Sequence, residues 1–387
     1  MKLLPSLALL AALAPLAVAA APLKVGIAND ISGPFAAIGA EARDGFNLAI
    51  KELGGTLGGQ PAEFIQTDMG GNPDQARQLV NRYLKRDKID FFTGPIGSNV
   101  ALAVGPVLFK AQVPYLSNNP GPSHYAGEQC NRFWFGMSYQ NDTFDEAAGK
   151  VASDRGYDDV IIMGPDYPAG RDALNGFKRE YKGEVSQEIY TRLGQIDYAA
   201  EIAQIRAAKP QALFIFLPAA MGINFIKQFV SAGLSEDIVL IGPGFSADED
   251  IIQAVGEPML GMFNTAQWAH DLDLPRNRHF VERFRKEYEG RYPSVYAAQA
   301  YDVIMAINAA VTQLDGDVSD RDAVVATLEK ADFESVRGDF RYGINHYPIQ
   351  SYYLRVIDRD DQGVITNRLV GKVFDEYQDA FVGQCKM

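Results

Sequence analysis

Along the chain, short runs rich in apolar and β-branched residues alternate with longer stretches of helical periodicity. Residues 23–28 (LKVGIA) read as a strand buried on both faces. Residues 36–53 carry apolar positions at Ala40, Phe46, Ala49, Ile50 and Leu53, a spacing that predicts a helix. Residues 63–67 read as a second strand. Asn72, Pro73 and Asp74 then open a helix: a capping Asn, a Pro where no N–H is needed, and an acid at the positive end of the dipole. Runs at 89–93 and 113–116 predict a third and a fourth strand. Strand and helix in alternation imply a parallel sheet covered by helices.

The series then restarts. Residues 160–163, 185–190, 212–217 and 238–241 read as strands, separated by helical stretches at 169–181, 198–207 and 221–232. Two successive blocks of similar size predict two doubly wound α/β lobes, and no linker-like Pro/Ser tract divides them. Helices are predicted near 293–314 and 321–330, and strands at 351–358 and 364–373. This tail is expected to complete the two lobes by crossing back, not to form a third domain.

The N-terminal pattern differs. Lys2 is the sole charge before Lys24, and the apolar run between them, broken by Pro5, Ser6 and Pro15, ends in Ala17-Val18-Ala19-Ala20-Ala21. One basic residue, a short apolar core and a small-residue exit predict a signal peptide over 1–21, cleaved near residues 19–21. The run is short of the ~20 apolar residues a spanning helix needs. The mature protein is therefore expected to be soluble and outside the cytoplasm. Cys130 and Cys385 are the only cysteines. An even count in an exported chain favours one disulfide, with two free thiols as the alternative.

A chain of 387 residues, 47% hydrophobic and 22% charged, can bury two sizeable cores. Its formal charge of -13 argues against nucleic acid and against docking on anionic lipid. Phosphate loops, dinucleotide fingerprints, HExxH and GxSxG elbows are missing from the sequence, and His124, His270, His279 and His346 have no metal-like spacing. No cofactor and no metal are expected.

Ligands of open parallel sheets bind beyond the carboxyl ends of the strands. Those loops hold 29–35, 94–99, 117–123, 164–170, 217–220 and 242–246. Ser98 sits where a strand turns into a helix, so its hydroxyl and nearby amides can hold a carboxylate; the alternative is that Ser98 caps its own helix. Asn118, Asn119 and Ser123 offer further hydrogen bonds, although turns favour such residues anyway. Phe35, Tyr167, Phe245 and Trp268 are candidates for an apolar wall. Asp166 at a strand end is a weak candidate base, since turn formation explains it as well.

The loops together resemble the leucine/isoleucine/valine-binding type of periplasmic binding protein, the solute receptors of ABC importers. The resemblance runs from about residue 23 past 358. It rests on Lys24-Val25-Gly26-Ile27 with Ser32-Gly33-Pro34 and Gly39, then Asp68 with Asn72-Pro73 and Ala76. Gly94 and Ser98, Asp166-Tyr167 with Gly170, and Ser231-Ala232-Gly233-Leu234 continue it. It implies a type I periplasmic binding protein fold: two doubly wound parallel-sheet lobes joined by a three-crossover hinge. It places lobe 1 at 22–138 and 266–342 and lobe 2 at 139–265 and 343–387. It further implies a monomeric, non-enzymatic periplasmic protein that delivers a small molecule to an ABC permease in the inner membrane.

Carried onto this sequence, the family's site falls on Ser98 with the backbone of Ile96 and Gly97, and on Asn119, Pro120 and Gly121, as carboxylate contacts. Phe35, Ile38, Tyr167 and Phe245 would line the pocket. The acid that usually meets an α-ammonium aligns with Gly244, and two common tyrosines align with Ala169 and Pro218. A desolvated ammonium without an anion is costly. The expected ligand is therefore an aromatic or other apolar carboxylate in a widened pocket. Branched-chain amino acids, amides and urea remain alternatives, as does an unrelated reading of the chain as a secreted α/β hydrolase using Ser98.

Overall fold

The computed structural model describes residues 21–387; the expected signal peptide lies outside the described residues apart from residue 21. The first sheet has the order β2-β3-β1-β4-β5-β6. Its strands are β1 (Leu23–Asn29), β2 (Thr56–Leu57), β3 (Gln60–Asp68), β4 (Phe91–Thr93), β5 (Tyr115–Ser117) and β6 (Trp134–Gly136). All neighbours from β3 to β6 pair in parallel. Between these strands run α1 (Ala36–Glu52), α2 (Pro73–Arg82), α3 (Ser98–Lys110) and the short α4 (Ser123–Ala126). Asn72 caps α2 as its sequence predicts, its side chain accepting from Asp74 N at 2.9 Å and Gln75 N at 3.1 Å.

The second sheet is built from β7 (Asp159–Pro165), β8 (Glu184–Thr191), β9 (Ala212–Ile215), β10 (Val239–Pro243) and β11 (Phe263–Ala266), all parallel, in the order β8-β7-β9-β10-β11. Helices α5 (Asn141–Asp154) and α6 (Pro168–Glu180) pack together, and α8 (Ala220–Ser231) touches both α7 (Ala199–Ala208) and α9 (Glu249–Val255). The chain then returns to the first lobe with α10 (Pro275–Glu287), α11 (Val295–Gln313) and α12 (Arg321–Leu328); α11 lies along α1. It crosses a third time to β12 (Arg341–Tyr342), β13 (Pro348–Arg359) and β14 (Ile365–Tyr377).

The last strands depart from a purely parallel sheet. β13 pairs antiparallel with β11 and with β14. A tight turn at 360–364 joins β13 to β14, and so short a connection can serve only antiparallel neighbours. Beyond β14 the chain leaves the second sheet. Phe381 packs against the core of the first lobe, and Cys385 is disulfide-bonded to Cys130, with 5.6 Å between their Cα atoms. No helix among the described residues is long and apolar enough to cross a membrane.

Candidate functional site

The carboxyl ends of both sheets face one cleft, and the lobes meet across it. Phe35 of the first lobe lies against Tyr167 of the second, ring centroids 6.1 Å apart. Ser123, at the start of α4, donates through its amide and its hydroxyl to the carboxyl of Asp172 in α6, at 3.1 and 2.8 Å. Between these contacts lies a narrow cavity. From the first lobe it is lined by Phe35, Ile38, Ile96, Ser98, Asn119 and Pro120. Tyr139 and Asn141 enter from the first crossover, and Tyr167, Ala169, Phe216, Pro218 and Phe245 from the second lobe.

Aromatic rings dominate this wall. Phe245 packs on Tyr139 at 5.5 Å and on Phe216 at 5.2 Å, and Phe216 stacks on Tyr167 at 6.5 Å. Burial pushes the Tyr139 and Tyr167 hydroxyls well above their ordinary value, so both stay protonated. No Asp, Glu, Lys, Arg or His lines the cavity among the described residues. Asp145, one helical turn beyond Asn141, is buried behind the wall, and neither of its oxygens has a hydrogen-bond partner among the described residues. Burial, and then the neighbouring Asp142 and Glu146, hold its carboxyl well above the usual range, so it offers no negative charge.

The polar groups cluster at the helix N-termini. α3 begins at Ser98 with Gly97 in the capping position, so the Ser98 hydroxyl is not spent on capping its own helix. α6 begins at Pro168, next to Ala169. Both helices therefore aim their positive ends at the cavity, which favours an anion there. Asn119 is engaged at both ends of its amide: it donates one N–H to Ile96 O at 2.9 Å and accepts from Tyr139 OH at 3.0 Å.

Several residues expected at this site lie elsewhere or are already committed. The Ile96 and Gly97 amides donate to the buried carboxyl of Asp30, at 2.9 and 3.4 Å, so they are not free to receive a ligand carboxylate. Gly97 does not reach the cavity wall. Gly121 is held behind it, its amide donating to Asn141 Oδ1 at 2.9 Å; a Cβ there would stand 2.0 Å from Tyr139 O, which explains why no larger residue occupies the position. Gly244 does not widen the pocket either, because the guanidinium of Arg355 and the ring of Phe144 fill the space its side chain would take. Trp268 packs on Phe280 and donates to Asn277 at 2.8 Å, away from the cavity. Asp166 is an exposed partner of Arg171. Asn118 lies buried in the fold, not on the wall. Tyr139, Asn141 and Phe216 line the cavity without having been expected there.

Comparison with known proteins agrees with this architecture. A sequence profile of a family described as periplasmic binding protein matches residues 22–362. The Leu/Ile/Val-binding protein homolog 6 of Brucella melitensis is 29% identical over 368 residues, covering 92% of this chain and 93% of that protein. A solute binding protein of an ABC transporter from R. palustris, solved in complex with benzoate, superposes with a TM-score of 0.89 at 29% identity, covering 95% of this chain and all of that one. A second, from Rhodopseudomonas palustris BisB5 in complex with 3,4-dihydroxy benzoic acid, gives 0.87 at 29% identity, covering 93% and 99%. The two lobes, the three crossovers, the cleft and the matched profile together establish that the chain belongs to the periplasmic binding protein family.

Proposed function

We propose that this protein is the periplasmic receptor of an ABC importer, that it closes its lobes around a small aromatic carboxylate, and that it works as an exported monomer presenting the closed form to a permease. The observation that carries the ligand class is the wall itself: five aromatic rings, two helix N-termini and the Ser98 hydroxyl, without a charged acid to meet an ammonium. An aromatic ring buried there removes ~150–250 Å² from water, about 4–6 kcal/mol at ~25 cal/mol per Å². The acid group then needs donors, not a counter-charge, and Ser98 supplies one from the first lobe. Neighbours of the same fold carry benzoate and 3,4-dihydroxy benzoic acid, which supports the reading. Each lobe contributes part of the wall, so the ligand favours the closed arrangement through its greater affinity for it.

Calorimetric titration of the mature protein with benzoate, 4-hydroxybenzoate and leucine tests the assignment. Binding of a benzoate with compaction in small-angle scattering is expected. Tight leucine binding with no response to either ring acid would refute it.

A further inference from the structure

Asn141 connects the cavity to the contact between the lobes. It is the first residue of α5, and its amide makes three hydrogen bonds. Nδ2 donates to Asp172 Oδ2 at 2.9 Å and to Ser98 Oγ at 3.2 Å, and Oδ1 accepts from Gly121 N at 2.9 Å. Two of these partners settle which way the amide faces. A backbone N–H can only donate, so it must meet Oδ1. The Asp172 oxygen already receives the Ser123 amide, so it serves as an acceptor and must meet Nδ2. The group beside Ser98 is therefore an NH2, and Ser98 Oγ must accept from it. The Ser98 proton has no other partner among the described residues and is left to point into the cavity.

We propose that Asn141 is a positioning residue: it turns the Ser98 hydroxyl into an outward donor and so makes the cavity selective for an acid group over a neutral one. Asp172 holds Asn141 in that orientation from the second lobe, while its own bonds to Ser123 reach back to the first. The Ser98 donor is consequently set only when the lobes meet, which joins selection of the ligand to closure. Asn141 acts through Ser98, since its own hydrogen-bonding groups are all committed.

The inference rests on the ring-acid reading above, and its test separates the two. Benzoate and the neutral benzamide share a ring and differ in the group presented to Ser98. Their affinities for the mature protein are measured by calorimetry and ligand-observed NMR in wild type, Asn141→Ala, Ser98→Ala and the double variant. Asn141→Ala is expected to weaken benzoate by roughly tenfold to hundredfold, the worth of one hydrogen bond to a charged group. Benzamide should change by less than about twofold, and Asn141→Ala should add little to Ser98→Ala, because the two act as one unit. Equal losses for both probes, or additive losses in the double variant, would overturn the inference and leave the ring-acid reading standing. Binding of neither probe by wild type would instead overturn the ring-acid reading, and this inference with it. Should Asn141→Ala lose its cooperative melt, the exchange Asn141→Asp with Asp172→Asn carries the same test, because it keeps the shape and charge of the pair but presents a carboxylate oxygen to Ser98 Oγ, which then spends its proton there; a loss of selectivity for benzoate is expected and an unchanged ratio overturns the inference.

Discussion

Phe245 meets rings on several sides: Tyr139, Phe144, Phe216 and Tyr296 all lie within 5.5 Å by centroid. Truncating a buried Phe to Ala costs ~3–5 kcal/mol. Phe245→Ala should therefore lower the unfolding free energy read from urea denaturation by that amount and also abolish ring-acid binding; a change under about 1 kcal/mol would show that the ring is not packed as described. Titration offers a second prediction at this scale. Burial, followed by the neighbouring Asp248, pushes the Glu249 carboxyl up to about 8, while burial lowers His270 to about 4. A raised acid stabilises the fold fully below its ordinary value and loses that contribution as pH rises through its folded value; a lowered His loses its contribution as pH falls. Between about pH 6.5 and 8 His270 no longer contributes and the raised acids dominate, Glu249 lying above Glu41 and Asp142 among them, so the melting temperature should fall as pH rises. Glu249→Gln should flatten that slope, leaving the part due to Glu41 and Asp142, both pushed to about 7. A slope unchanged by the substitution would mean that Glu249 is ionised throughout. The residues on the wall differ in how legible they were. Ser98 and Tyr167 announce themselves as polar or aromatic residues at strand ends. Phe216 sits in a continuous apolar run, where periodicity cannot tell a cleft-facing ring from core. Tyr139 and Asn141 lie where the chain changes lobes, a stretch with neither period.

At the level of elements, α1 and α11 approach so closely that a Cβ on Gly45 would stand 2.1 Å from the Ala297 carbonyl oxygen. Gly→Ala inside a helix normally stabilises by up to ~1 kcal/mol. Here the obstacle is backbone, which cannot swing aside, and overpacking costs ~1–3 kcal/mol. The steric effect should win, and Gly45→Ala should lower the denaturation midpoint; a rise would show that the helices part freely. The strands and amphipathic helices of both sheets were readable because their apolar residues keep the right period. α5 was not. It opens Asn-Asp-Thr-Phe-Asp-Glu, and those polar side chains are nevertheless buried. Arg179 reaches both Asp142 and Glu146, a compensation from a distant helix that no local window contains. The antiparallel pairing of β13 and β14 also escaped the parallel expectation, although the short spacing between the two runs already allowed a hairpin.

For the molecule as a whole, the two-lobed plan was legible in the doubled strand–helix series, whereas the contact between lobes was not, because residues such as Ser123 and Asp172 meet only in three dimensions. The disulfide depends on the same long-range arrangement, its cysteines being 255 residues apart in sequence. Removing it with Cys130→Ser and Cys385→Ser should cost about 2–4 kcal/mol, read from urea denaturation with and without reductant. An unchanged midpoint would mean that the tail packs as firmly unlinked. Every passage from one lobe to the other falls between residues 130 and 385. The sulfur–sulfur bond therefore seals these passages into one covalent ring. A protease that nicks any single passage opens the ring without releasing a fragment, and the two pieces part only once a thiol reagent breaks the second link.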